Sequence, residues 1–129
     1  MVQISLAAQA TTSFNIDLVG HSDLSGAGKG GEGLALKKYG NQKILFLAHE
    51  SGPQCFSVLD VTKPQKPIVI KQVPVEAEYV RCNSLALNGD TLIVARQTEK
   101  VNQLHGGITT YDVRNPASPE LISYMNLSG

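Results

Sequence analysis

The chain has 129 residues, with eleven Lys and Arg balancing eleven Asp and Glu, which fits one ordinary domain of zero formal charge. That balance excludes a basic face for nucleic acid and a polybasic membrane anchor. Four Tyr, three Phe and no Trp leave little for stacking single-stranded bases. The longest strongly apolar run, Ile44 to Ala48, is far too short to cross a bilayer.

Residues 1–13 carry no periodic pattern and read as a disordered tail or a signal-peptide remnant, since Ile4 to Ala10 resembles the end of an apolar h-region with an Ala8-x-Ala10 cleavage site. Phe14 to Val19 alternates and is expected to be a strand. Gly26 to Gly33 is a glycine-rich loop without the GxxxxGK[ST] pattern, so a phosphate loop is not expected there. Leu34-Ala35-Leu36 opens the next strand, and Tyr39-Gly40-Asn41 supplies a hairpin turn. Ile44 to Ala48 is apolar at every residue, which predicts a strand covered on both faces. Phe56 to Val61 and Ile68 to Val73 are the third and fourth strands.

The pattern then repeats. Leu85-Ala86-Leu87 matches Leu34-Ala35-Leu36, Asn88-Gly89-Asp90 supplies the hairpin turn, and Leu92 to Ala95 is the second apolar strand. CFSVLDVTKPQKP (Cys55 to Pro67) returns as GITTYDVRNPASP (Gly107 to Pro119), with Asp60 on Asp112, Pro64 on Pro116 and Pro67 on Pro119 at an offset of 52. An Asp closing a strand accepts from the backbone amide two residues on, and the prolines then shape the turn. The fourth strand of the second repeat is Leu121 to Met125. Leu18 to Gly26 also aligns with Leu121 to Gly129 at an offset of 103, about twice the period, so the chain opens and closes at one phase of the repeat. A strand-built period near 50 is the signature of propeller blades.

These motifs resemble the LVIVD-repeat family of β-propellers, over roughly Leu18 to Gly129. Two departures stand out: Lys63 and Asn115 occupy a place where the family usually has Asp, and Cys55 one where Gly is usual. The resemblance implies no catalytic residue. The expected fold is all-β, a partial β-propeller of two consecutive four-stranded antiparallel blades, about residues 33–74 and 84–126, plus the extra N-terminal strand. Two blades leave their outer apolar faces bare, so the expected partners are further blades or other copies of the chain. A small two-sheet sandwich is the other solution.

Cys55 and Cys82 fall at different places in the repeat and form no metal or redox motif. Small buried thiols are expected, with a single disulfide as the alternative.

In such a blade, the loop between strands two and three shares a rim with the loop leading to the next blade. Polar residues that differ between the repeats cluster there, which points to function carried on a repeated frame. The candidate ligand site is His21, Glu32, His49, Glu50, Arg81 and Arg96, whose mixed charges suit a small anionic ligand or a protein partner. The bland alternative is that His49 and Arg96 satisfy local backbone or carboxylate partners. His21, Ser22 and Asp23 are adjacent and cannot converge as a triad. Three histidines with Glu32, Glu50 and Asp23 would need spatial convergence to hold a metal, so no metal site and no cofactor is expected. The expected function is a non-enzymatic binding or interaction segment, periplasmic or secreted. The alternative is part of a metal-dependent propeller hydrolase or oxidase with its site on the same rim.

Overall fold

A computed structural model describes residues 14–27, 31–99 and 104–127; the expected tail or signal remnant at 1–13 lies outside them. Eight strands follow in order: β1 (Leu34–Tyr39), β2 (Gln42–Ala48), β3 (Gln54–Asp60), β4 (Ile68–Pro74), β5 (Val80–Asn88), β6 (Thr91–Thr98), β7 (Gly107–Asp112) and β8 (Glu120–Asn126). They form two four-stranded antiparallel sheets, ordered β1-β2-β3-β4 and β5-β6-β7-β8, as two successive blades would. The helix-like structure among the described residues is one 3-10 turn at Leu24–Gly26. No helix there is long and apolar enough to cross a membrane.

The local chemistry explains the turns. Gly40 and Gly89 take φ of 59° and 58° at the two hairpin tips, a conformation glycine adopts without steric cost. At the third-strand ends, Asp60 Oδ1 accepts from the Thr62 amide (2.8 Å) and Asp112 Oδ1 from the Arg114 amide (2.9 Å). Each turn then closes alike, Lys66 N–H on Lys63 O at 2.9 Å and Ser118 N–H on Asn115 O at 3.0 Å. The repeated Asp-Val sequence is therefore a repeated backbone device.

Two expectations need correction. Phe14 to Val19 is not a strand: it pairs with neither sheet, and Phe14, Ile16 and Leu18 are exposed. By its phase the segment would be a fourth strand beside a third one, and β3 and β7 already carry β4 and β8 on that side. Second, β2 and β6 are not covered on both faces. Ile44, Phe46 and Ala48 are buried while Leu45 and Leu47 are half-buried; Leu92 and Val94 are buried while Ala95 is exposed. Each sheet has a single sheet neighbour, so one face alternates out. The second sheet also begins earlier than residue 84, at Val80, ahead of a register shift between Cys82 and Ser84.

The buried faces differ in an informative way. Register makes the strands superimposable: Ile44 faces Asp60 as Thr91 faces Asp112, and Leu45 faces Leu59 as Leu92 faces Tyr111. In this frame Leu92 and Val94 correspond to Leu45 and Leu47, not to Phe46 and Ala48. The first sheet thus buries one face of the repeat and the second buries the opposite face. The sheets stack front to back.

The interface core holds Ile44, Phe46, Cys55, Phe56 and Val58 against Cys82, Leu92, Val94, Tyr111 and Val113. Phe56 and Tyr111 meet edge to face, centroids 5.1 Å apart, a favoured aromatic geometry. Tyr39 Oη donates to Val113 O at 2.5 Å, and Lys37 Nζ donates to Gly89 O at 2.6 Å and pairs with Asp90. Burial, then the charges of Asp90 and Asp112, push the Tyr39 phenol up to about 12. Only glycine fits at Gly33, where a Cβ would lie 2.6 Å from Leu85 N. Cys55 and Cys82 form a disulfide across the interface, with Cα atoms 5.1 Å apart, so the alternative of a single bridge holds over two buried thiols.

Candidate functional site

The loop rim is built by strand ends from both sheets. Ala48 N–H donates to Gly33 O (2.8 Å), His49 N–H to Cys55 O (2.9 Å), and Cys82 N–H to His49 O (3.0 Å). Val75 N–H donates to Pro53 O at 2.9 Å, tying the connection between the sheets to the β2–β3 loop. With the Cys55–Cys82 bridge at the same level, this rim is fastened by backbone bonds and a covalent link.

Two polar rows run outward from it, one per sheet, buried at His49, Ser57, Arg96 and Thr109 and exposed at Tyr124. In the first, His49 Nε2 lies 2.7 Å from Ser57 Oγ, and Gln72 Nε2 donates to Ser57 Oγ and to Leu24 O, each at 3.0 Å. In the second, both terminal nitrogens of Arg96 donate to the Glu76 carboxylate, one of them also to Thr109 Oγ1 at 3.2 Å. The guanidinium lies over the Tyr124 ring, 5.5 Å from its centroid, and Tyr124 Oη donates to Gly106 O at 2.9 Å. Register pairs Ser57 with Gln72 and Thr109 with Tyr124, so the rows correspond member by member: His49 to Arg96, Ser57 to Thr109, Gln72 to Tyr124. The frame is kept and the chemistry changes.

Burial lowers the Arg96 guanidinium from its ordinary value, while Tyr111 and Tyr124 pull it back. The Arg96 side chain is 4 % exposed whereas Glu76 is half in water, so the pair is anchored from the buried side. Its Nε has no protein partner. Gln54 Oε1 and Asn83 Oδ1 are likewise buried without partners, and all three atoms belong to strand ends on this rim. Buried polar atoms normally find partners, so three at one rim single it out.

The candidate residues fall as follows. His49 and Arg96 flank Cys82, one through the His49 carbonyl and the other as cross-strand partner. Their side chains engage their own rows. The Arg96–Glu76 pair matches the carboxylate pairing weighed as the bland alternative. Arg81 reaches Glu99 at 3.5 Å, an exposed pair that contributes little. Glu50 and Glu32 are exposed, the latter between Gly31 and Gly33, which both lie against Ala48. His21 stands apart, because neighbouring Gly20 packs against the Pro64 carbonyl at the opposite rim. Sequence reasoning left Ser57, Gln72, Thr109, Tyr124 and Glu76 out of the site. The offset of 52 places hydroxyls at both 57 and 109, a signal that could have found that pair.

Among the described residues, no group of three or more His, Cys, Asp or Glu is placed to hold a metal ion. Two shallow clefts lie at the other rim: about 430 Å³ lined by Gln42, Asp60, Thr62, Lys63, Lys66 and Ile68, and about 200 Å³ at Asp112, Arg114, Asn115, Ser118 and Glu120. They occupy corresponding places in the two repeats and belong to the turns.

In comparison with known proteins, no family model matches the chain, and no curated protein matches it.

Proposed function

We propose that this chain is a non-enzymatic binding segment of a β-propeller, its two sheets being successive blades, and that its loop rim takes a small anionic ligand. The observation that carries this is the loop rim itself: a repeated frame whose polar rows diverge, with unpartnered buried atoms at Gln54, Asn83 and Arg96. Glu76 occupies the terminal nitrogens of Arg96, which leaves Nε as the donor for a carboxylate or phosphate oxygen. The amide oxygens of Gln54 and Asn83 suit hydroxyl groups on the same ligand. Front-to-back stacking supports the blade reading, since a ring requires every blade to present one face forward and the other back. The interface disulfide supports an oxidising compartment such as the periplasm or the exterior.

The test is an NMR titration of the chain with citrate and with inorganic phosphate. Amide shifts should concentrate at residues 49–54, 81–83 and 96–97 and vanish in Arg96→Met. Shifts confined to the turns at 60–66 and 112–118, or none with either anion, would refute the loop-rim site.

A further inference from the structure

The front-to-back stacking that supports the blade reading has a consequence for the two outer faces. Leu34 and Leu36 are 65 % and 58 % exposed, yet their counterparts Leu85 and Leu87 pack on the interface core. On the far side of the second sheet the relation reverses: Ile108 and Met125 are exposed, while their counterparts Phe56 and Val73 lie in or against that core. Each bare face is therefore the repeat counterpart of a face already packed inside the molecule. Over the inner strands the two are complementary to each other in the way the internal faces are.

We propose that a second copy of the chain docks head to tail, placing the Ile93, Ile108 and Met125 face of one copy on the Leu34, Leu36 and Leu45 face of the next. The inner half of the receiving face is open. Its outer half is crossed by residues 20–24, with Gly20 against Pro64 and the Leu24 carbonyl on Gln72. In the internal interface, too, the backbones approach most closely at the inner strands, where β5 meets β1, β2 and β3. The contact between copies lacks the covalent staple, because Gly107 stands where Cys55 does and Gly31 where Cys82 does. Association is thus reversible. It is heterologous, so copies add in one direction until a ring closes or a filament grows.

Heterologous docking has a diagnostic that a two-fold contact lacks. Leu36→Glu spoils the receiving face and Ile108→Glu the donating face, both at exposed positions. In sedimentation velocity across a hundredfold concentration range, the wild-type chain should associate and each variant alone should stay monomeric. An equimolar mixture of the two should form a 1:1 dimer and stop, because one good face of each kind remains. An intact disulfide by mass and a wild-type far-UV spectrum certify folding, and Leu34→Glu with Met125→Glu serve if either variant misfolds. A monomeric wild type overturns the proposal, as does self-association surviving in one variant, or a mixture that fails to pair. None of these outcomes touches the anion titration, which fails or succeeds separately.

Discussion

The first and second sheets are the same four-stranded meander used in two ways. Both hold a glycine hairpin between their first strands and an Asp turn after their third. They differ in which face is buried and in what fills the polar row. The first sheet buries Phe46 and Phe56 against its neighbour and turns Leu36 outward; the second buries Leu92 and Tyr111 and turns Ile108 outward. A repeat fixes strand register and turn chemistry, while stacking order decides which half of its alternating residues becomes core. The polar rows sit where neither constraint dictates identity beyond a need for partners, and there His49 and Arg96 diverge.

The sharpest way to break this comparison is to truncate one repeat position in both sheets. Phe46 is fully buried and Ile93, its counterpart, faces outward half-buried. Phe46→Ala should cost about 3–5 kcal/mol by lost transfer and cavity formation. Ile93→Ala should cost about 1 kcal/mol, since less area leaves contact. Urea unfolding of both measures the difference, and equal losses would mean both faces are equally packed.

The next largest effect removes what joins the sheets. The Cys55–Cys82 bridge closes a loop with a sequence separation of 27, which the chain-entropy relation values at about 3–4 kcal/mol. The double variant Cys55→Ala/Cys82→Ala should lower the urea midpoint accordingly, and reductant should shift the wild type but not the variant. A wild type indifferent to reductant would show that the sheets hold together without the bridge.

Much of this architecture is legible in the sequence, and the reasons are local. Turn chemistry is written in a few adjacent residues, so Asp60, Asp112, Gly40 and Gly89 announce the strand ends, and the period of repetition supplies the strand count. What escapes is what depends on stacking. Cys55 and Cys82 occupy different places in the repeat, and only the offset of one sheet on the other brings them within 5.1 Å. Phe14 to Val19 has the alternation of a strand, yet the third strands it would join by phase already carry β4 and β8. The half-cover of Leu45 and Leu47 reflects a sheet packed on a single sheet neighbour, where an apolar run alone reads as covered on both faces. At the candidate site, His49 and Arg96 were legible as differing rim residues. Glu76 was left out of the candidate set, because its partner lies twenty residues on and meets it through the fold.

A pH scan separates the interface from the turns. At alkaline pH the interface holds two sensitive phenols: burial raises Tyr111, and burial with nearby carboxylates raises Tyr39 from 10 to about 12. Because the folded value lies above the unfolded one, the stability tied to the Tyr39 proton is complete below pH 10 and lost as pH rises toward 12. Thermal melts should therefore weaken over that range, and Tyr39→Phe should flatten the decline. A decline unchanged in the variant would place the alkaline sensitivity elsewhere.

The smallest effect belongs to the turns, and it runs at the acid end. Hydrogen bonds with Thr62 hold the Asp60 carboxyl below its ordinary 3.8, and bonds from Arg114 do the same for Asp112. Here the folded value lies under the unfolded one, so the contribution is present above about 3.8 and fades as pH falls through the folded value. Asn in either place keeps an oxygen to accept the amide two residues on but cannot titrate. Asp60→Asn and Asp112→Asn should thus melt close to wild type at neutral pH and lose less stability on acidification, and Asp60→Ala should be weaker than Asp60→Asn at every pH. Since both turns use the same device, the two Asn variants should also match each other in acid slope, apart from the extra Arg114 contact at 112. If only one of them altered the slope, the turns would be alike in geometry but not in energy, and the correspondence between the sheets would stop at the backbone.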